Sequence, residues 1–498
     1  MRTLILVIGS VFFILSCKKA IKSPEAKTLF RQVPANVSGI DFANNLHYDR
    51  NFNIYRYRNF YNGGGVAIGD INNDSLPDIY FTGNMVKNKL YLNKGNFEFE
   101  DITLKAGVAG SKAWSTGVSM ADVNGDGWLD IYVCNSGDIK GDNKENELFI
   151  NQQDGTFKEM AASYGLNDRG YSTHAAFFDY DKDGDLDMYL LNNSYKAIGS
   201  FNLRQDVREI RDTLGGDKLF RNDANIGMDH FTDVSQEAGI YGSLIGFGLG
   251  VTVGDINMDG WQDIYVSNDF FERDYLYLNQ HDGTFKEDLT NEMQCTSAAS
   301  MGADMADINN DGLPDIFVTD MLPSSEKRLK TKTTFEDWNK YQYNVRNGYF
   351  HQFIRNMLHL NRGSNTFSDI GRLADVHATD WSWGALMFDM DLDGQKDIFV
   401  ANGIYQDLTD QDYLSFVSDE NTVRNIVKDD SVDFKQLIDS IPSEAVPNSA
   451  FQNQGNLGFK DKATEWGLGM ASFSNGSAYG DLDNDGDLDL VINNVNMP

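Results

Sequence analysis

Cysteine is nearly missing from this chain, with three in 498 residues. Cys17 lies in an N-terminal apolar stretch, and Cys134 and Cys295 are far apart. The spacing therefore supplies no disulfide framework, no thiolate zinc set and no redox pair. Cys134 falls in the strand-like DIYVCN, the ordinary setting of a small buried thiol. Positive charge is short as well: 42 Lys and Arg stand against 74 Asp and Glu, for a formal net charge of −32. Such a chain repels a phosphate backbone, which excludes nucleic acid as a partner. The sequence contains no nucleophile elbow, no phosphate loop and no histidine metal triad. What remains for catalysis is a carboxylate pair among the many aspartates. Global disorder is excluded too, because 41% hydrophobic and 12% aromatic residues are ample for a core.

Long apolar runs are also absent, apart from Leu4 to Leu15. That run follows a single Arg and precedes Ser16-Cys17, the layout of a secretion signal, and it is too short for a comfortable membrane span. The sequence ILSC resembles a bacterial lipobox, in which Cys17 is lipidated and becomes the mature N-terminus; an ordinary signal peptide or signal anchor is the alternative. The expected organisation is a signal peptide over 1–16, a tether over 17–29 and one repeat domain over 30–498. Lys18 and Lys19 do not look like an inner-membrane retention signal, so the expected location is the outer membrane, on its surface or periplasmic side. The membrane would be reached through the lipid alone.

What the chain has in abundance is one acidic pattern. DINNDSLPD, DVNGDGWLD, DYDKDGDLD, DINMDGWQD, DINNDGLPD, DMDLDGQKD and DLDNDGDLD recur along it. A run of small and apolar residues precedes each loop, and a short hydrophobic strand such as IYFTGN or IYVCN follows. In six units a third strand then ends in Asn (LYLN, LFIN, LFRN, LYLN, LHLN, AFQN) and a fourth begins with Phe. Four short antiparallel strands per unit, repeated, predict an all-β, seven-bladed β-propeller with four-stranded blades. The seventh unit stops at Pro498 after two strands. The stretch LFRQVPANVSGIDF matches HFTDVSQEAGIYG, pairing Phe30 with Phe231 and Gly39 with Gly239, so the N-terminal strand is expected to close the last blade. One strand of that blade then has no donor, and a continuation into a longer polypeptide is the expected reason.

Alternate residues of a tight loop can turn oxygens inward together, which is the ligand set of a cation of calcium's size. Places one, three, five and nine are Asp70, Asn72, Asp74 and Asp78 in the first loop and Asp122, Asn124, Asp126 and Asp130 in the second. They are Asp179, Asp181, Asp183 and Asp187 in the third, and Asp255, Asn257, Asp259 and Asp263 in the fourth. The fifth has Asp307, Asn309, Asp311 and Asp315, the sixth Asp389, Asp391, Asp393 and Asp397, and the seventh Asp481, Asp483, Asp485 and Asp489. Place seven can add its backbone carbonyl, and glycine at place six allows a left-handed turn. Up to seven calcium ions are expected. Magnesium demands octahedral geometry, and zinc would bring His or Cys. Ser75 replaces the glycine of place six, so the first loop is expected to be strained and weakest.

These loops, followed by LYLN and GTF, resemble the FG-GAP/VCBS repeats of integrin α-subunit propellers. Through TDMLP, NGYFHQFIRNMLHLN and ATDWSWGALMFDMDLDG, residues 30–498 also resemble VCBS-repeat lipoproteins of Bacteroidetes, related to cartilage acidic protein and ASPIC-type proteins. The resemblance implies a calcium propeller at the cell envelope and no established reaction.

Three insertions, roughly 194–217, 320–357 and 403–449, fall between second and third strands. The acidic loops join first to second strands, so the insertions share the opposite face, where propellers commonly bind partners. VREIRDTL, TVRNIVKDD and DFKQLIDSI read as short helices within them. The second insertion offers Trp338, Tyr341, Tyr343, Arg346, His351 and Arg355, and Trp381 and Trp383 precede or enter an inner strand near the same funnel. Aromatic faces beside Arg, Asn and Gln suit a glycan or protein ligand, although the same aromatics could simply pack the insertions down. His174 and His377 also precede inner strands. A calcium-stabilised binding and scaffold protein is the first reading, and a polysaccharide lyase or glycoside hydrolase on the same propeller is the alternative.

Overall fold

The computed structural model describes residues 28–137, 144–196, 207–228, 230–333, 338–364, 366–420, 427–428, 431–432 and 434–498. The signal peptide, Cys17 and most of the tether lie outside them. Among the described residues no helix is long and apolar enough to cross a membrane.

Six four-stranded antiparallel sheets follow one another. Blade one runs Val66–Gly69, Asp78–Phe81, Lys89–Asn93 and Phe99–Asp101, each strand paired with the next. Blades two to six repeat it, with inner strands Ser115–Ala121, Ser172–Phe178, Gly248–Gly254, Ala303–Ala306 and Ser382–Phe388. These inner strands touch in order around the axis, and Ser474–Gly480 closes the circle between blade six and blade one. Small residues line the axis because the backbones crowd there. A Cβ on Gly117 would come within 2.4 Å of Thr173 O, and one on Gly302 within 2.3 Å of Trp383 O. Apolar clusters fill the space between successive sheets, as Tyr132, Leu148 and Met188 do between blades two and three.

The seventh position corrects the expectation of seven four-stranded blades. It holds a two-stranded sheet, Ser474–Gly480 with Asp489–Asn494. The N-terminal segment reaches the expected place without forming a strand. Phe30 N donates to Trp466 O at 2.7 Å, as Phe285 N does to Ala238 O at 2.8 Å in blade four. Gly39 lies over Phe99 O as Gly239 lies over Phe285 O, both at positive φ. So Phe30 and Gly39 stand where a fourth strand begins and its following turn ends. No ladder forms because, among the described residues, no third strand lies beside them to share hydrogen bonds.

The three insertions do leave from second strands, opposite the acidic loops. Helices Glu326–Lys332 and Trp338–Arg346 belong to the second, and Gln411–Ser418 and Phe434–Asp439 to the third. The helix expected in DFKQLIDSI is therefore present. VREIRDTL holds turns and a bridge from Arg211 to Ser243 instead, and the described part of TVRNIVKDD, Val427–Lys428, pairs as a strand with Ser431–Val432.

A segment without periodicity changes the shape of the insertion face. Residues 46–61 cross the axis, packing Leu46, Phe52, Ile54, Tyr57, Phe60 and Tyr61 against Trp114, Met301, Trp383, Ile404 and Phe473. Tyr57 donates to Ser136 Oγ at 3.0 Å, and Asn59 to Asn193. The expected open funnel is thus plugged, and a cavity of ≈ 350 Å³ remains beneath, touching all seven inner strands. His174 and Asp304 line it. Burial lowers the imidazole of His174 and raises Asp304 to about 6, against two backbone N–H bonds that favour its charge.

Candidate functional site

Each acidic loop closes on itself through its carboxylates. At place one, Asp122 accepts the N–H of Asp126 at 3.0 Å and of Gly127 at 2.8 Å; Asp307 does the same for Asp311 and Gly312. The carboxylate at place nine reaches back to place two and out to the third strand. Asp187 accepts from Tyr180 N at 3.1 Å and from Asn222 N at 2.8 Å. Burial raises Asp187 to about 8 and Asp78, Asp130, Asp263, Asp315 and Asp397 to about 7, although their backbone N–H bonds pull the other way. Asp489, less covered, rises to about 6 for the same reason.

In three loops the side chains converge as a cation would need. Oxygens of Asp179, Asp181 and Asp187 lie within 4.8 Å of one another, as do those of Asp389, Asp391 and Asp397 and of Asp481, Asp483 and Asp489. One oxygen each of Asp181, Asp391 and Asp483 is buried without a hydrogen-bond partner. A bare carboxylate oxygen in that setting is costly unless a cation meets it, so the donor set fits calcium. Where place three is Asn, the amide contacts place five instead: Asn72 donates to Asp74 at 2.9 Å and Asn309 to Asp311 at 2.9 Å. Asn124 does likewise to Asp126 at 3.2 Å, and Asn257 accepts Asp259 N at 3.0 Å.

Place six has positive φ in every loop, 70° at Ser75 and 98° at Gly184 among them. Ser75→Gly should therefore raise stability by about 0.5–1 kcal/mol in an urea titration; a loss would show that Ser75 makes a contact worth more than its strain. Place four is left-handed too, at Asn73, Lys182, Met258, Asn310, Leu392 and Asn484. Varied residue types hid that second turn from sequence reading.

The terminal Asn of each third strand is a structural signature whose role the sequence did not disclose. Its N–H meets place nine of its own blade, at 2.7 Å for Asn93 on Asp78 and 2.8 Å for Asn453 on Asp397. Its side-chain amide donates to place two of the preceding blade: Asn151 to Ile71 O at 2.8 Å, Asn279 to Tyr180 O at 2.8 Å, Asn361 to Ile256 O at 2.9 Å. Asn93 joins blade one to Leu482 O of the seventh sheet at 2.8 Å.

The family described as FG-GAP-like repeat matches residues 70–133, 135–190 and 255–318, ranges that contain several of these acidic loops and Asn-ended strands. The chain carries FG-GAP-like repeats. It is homologous to Cartilage acidic protein 1 of Xenopus tropicalis, 27% identical over 262 residues, which is 52% of this chain and 36% of that protein. It is also homologous to integrin alpha chains, with 41% identity to Integrin alpha-7 of Rattus norvegicus over 85 residues, 15% of this chain and 7% of that one. The chain thus matches little more than a third of these relatives' length at most. A structure described for specific recognition of non-reducing terminal N-acetylglucosamine by an Agrocybe aegerita lectin is 14% identical, with TM-score 0.42 over 89% of this chain and 88% of that one.

On the face opposite the FG-GAP-like loops, the aromatic residues of the second insertion divide into two groups. Trp338, 68% exposed, stacks on Tyr341 with centroids 5.2 Å apart, and Tyr341 stacks on Phe353 at 5.8 Å. His351 Nδ1 and the Tyr341 hydroxyl are 2.6 Å apart, which fixes the phenol. Phe353 was not singled out from sequence, yet it forms the floor of this shelf. Tyr343 and Arg346 are exposed; Tyr343, two residues beyond Tyr341 on the helix, faces away from the shelf. Arg355 lies over the Phe353 ring but is only 11% exposed and paired with Asp369, so it props the shelf from behind. Trp381 and Trp383 are elsewhere, stacked under the plug, with Trp383 Nε1 donating to Gly403 O at 2.8 Å. His377 is partly buried beside the Arg355–Asp369 pair, with its imidazole lowered by burial and by the nearby Arg372.

Proposed function

We propose that this chain is a calcium-stabilised scaffold of the cell envelope that binds a glycan or protein ligand on its insertion face. The observation that carries the ligand reading is the shelf of Trp338, Tyr341 and Phe353, a row of stacked rings left open on a packed surface. Exposed aromatic planes flanked by hydrogen-bonding groups suit the apolar face of a sugar ring or a peptide side chain. Calcium would be held by places one, three, five and nine of each FG-GAP-like loop. When bound it supplies a fixed positive charge that the clustered carboxylates surround, joining the first strand to the second. The protein's own residues do the rest: the Asn of each third strand ties the loop to its neighbour.

Trp338→Ala should weaken ligand binding at least tenfold on a glycan array followed by titration of the hit, and leave the thermal midpoint within about 1 °C, as for an exposed residue. Arg355→Ala should lower the midpoint as well, because it strands Asp369. If Trp338→Ala binds like the parent, the ligand does not use this shelf.

Attachment through lipid at Cys17 is part of the same proposal and is supported by ILSC. In a bacterial host the parent should partition into detergent and carry acyl mass on its first peptide. Equal partition of Cys17→Ser would overturn it.

A further inference from the structure

The inner strands align by the first aspartate of the acidic loop that follows each. Five residues before that aspartate stands a glycine, from Gly65 to Gly476, in every unit except blade three, which has His174. Three residues before it stand Ala67, Ser119, Ala176, Thr252, Leu386 and Ala478, and in blade five Asp304. The uncharged rings around the axis are thus broken once by an imidazole and once by a carboxylate. Both line the cavity of ≈ 350 Å³ beneath the plug. The imidazole uses space that a neighbouring glycine leaves: its Nδ1 lies 2.7 Å from where a Cβ on Gly117 would stand.

The fold does not use up these groups. His174 has no hydrogen-bond partner among the described residues, and burial lowers its imidazole, so at neutral pH it offers a lone pair. Asp304 accepts Met305 N at 2.8 Å and Met387 N at 2.6 Å, and among the described residues no Lys, Arg or His pairs with it. Raised to about 6, it is still mostly charged at neutral pH, and a carboxylate so deep is costly without a cation beside it. Asn475, 3% exposed, has its Oδ1 buried without a partner, and the Ser477 hydroxyl is also unpartnered; both residues line the same cavity. All four groups can accept a hydrogen bond, and none is positive.

The plug side of the wall is apolar, with Trp114, Met301 and Trp383 buried beneath Phe60. Toward the acidic loops the inner strands continue through Met120, Phe177, Val253 and Met305, all half-buried, so solvent reaches the axis from that face. The mouth is therefore ringed by carboxylates, whose field draws in a cation and repels an anion. The volume lies at the lower end of small-molecule sites, about 300–1,000 Å³. A metal ion matches poorly, because calcium gathers about six to eight oxygens and Asp304 is the only carboxylate among the lining residues.

We propose that the axial cavity binds a compact organic cation, with its ammonium at Asp304, its other donors at His174, Asn475 and Ser477, and its carbon body beneath Trp383 and Met301. An ammonium on a carboxylate out of water makes a charge-assisted hydrogen bond, about twice as strong as a neutral one. This site is separate from the aromatic shelf of the second insertion.

The test uses the full chain in saturating calcium and three probes of one shape: tyramine, its neutral counterpart tyrosol and the anion 4-hydroxyphenylacetate. Calorimetry should show one tyramine per chain, tyrosol at least tenfold weaker, and no binding of the anion. Asp304→Asn should weaken tyramine at least tenfold and remove its advantage over tyrosol. His174→Gly, which installs the residue of the other inner strands, should fold and weaken tyramine at least threefold. Trp338→Ala, on the shelf, should change nothing. The proposal is overturned if tyrosol binds as tightly as tyramine, or if Asp304→Asn (where it does not fold, His174→Gly) binds like the parent. Loss of binding in Trp338→Ala would place the probe on the shelf and overturn it as well. So would several tyramines per chain that added calcium displaces, or no binding to a chain whose unfolding is cooperative.

Discussion

Excess chelator should lower the thermal midpoint of this protein by more than about 10 °C, if the proposed calcium loading holds. The expectation follows from the number of loops and from what each contains. A cation that binds only the folded state at about a hundred times its dissociation constant adds ~2.7 kcal/mol per site. Several such sites together rival the ordinary total stability of about 5–15 kcal/mol. Without the ion, Asp179, Asp181 and Asp187 keep oxygens within 4.8 Å of one another, and an oxygen of Asp181 is buried with no partner. The loops with four carboxylates should be the most affected, so Asp183→Ala should cost more than Asp74→Ala, whose loop already bears the strained Ser75. An unchanged midpoint in protein shown by elemental analysis to be metal-free would sink the calcium reading.

Arg328→Ala should destabilise the fold by about 3–5 kcal/mol, the usual cost of breaking a buried ion pair from one side. Arg328 grips Asp380 with two bonds, Nε to Oδ2 at 2.6 Å and Nη2 to Oδ1 at 2.7 Å, and reaches Asp407 at 3.4 Å and Glu444 at 3.1 Å. Lys332, one turn on, reaches Asp410 at 2.5 Å and Asp407 at 3.7 Å. The helix that carries both cations is capped by Ser325. These contacts fasten the second insertion to the third and to the entry of blade six. Removing the guanidinium leaves Asp380 and Asp407 buried with too little positive charge. Arg328→Lys should fall between, since an ammonium cannot make the two-pronged contact. Arg346→Ala, at an exposed position of the same insertion, serves as the control and should stay within about 0.5 kcal/mol. Equal urea midpoints for Arg328→Ala and Arg346→Ala would refute the latch.

The acidic loops, strand order and placement of the insertions were legible because they repeat: one pattern read seven times outweighs any local ambiguity. The seating of Phe30 and Gly39 was legible for the same reason, through their match to Phe231 and Gly239. The plug was not. Leu46, Phe52, Tyr57 and Phe60 follow neither a helical nor a strand period, because their partners come from different blades around the axis. For Trp381 and Trp383 the sequence showed proximity to the inner strand but not the cover above it. Arg355 looked like a ligand residue by composition, and only folding reveals Asp369 beside it. Phe353 escaped notice as one ring among many, until Tyr341 is seen lying on it.

The Asn bridges from blade to blade also make the molecule resemble a necklace. Each bridge passes load from a loop to the next sheet, so tension applied anywhere is shared around the circumference. The links run unbroken from the seventh sheet through blade one to blade six. Breaking one bridge would therefore shift its load onto the others around the ring, with each blade still intact.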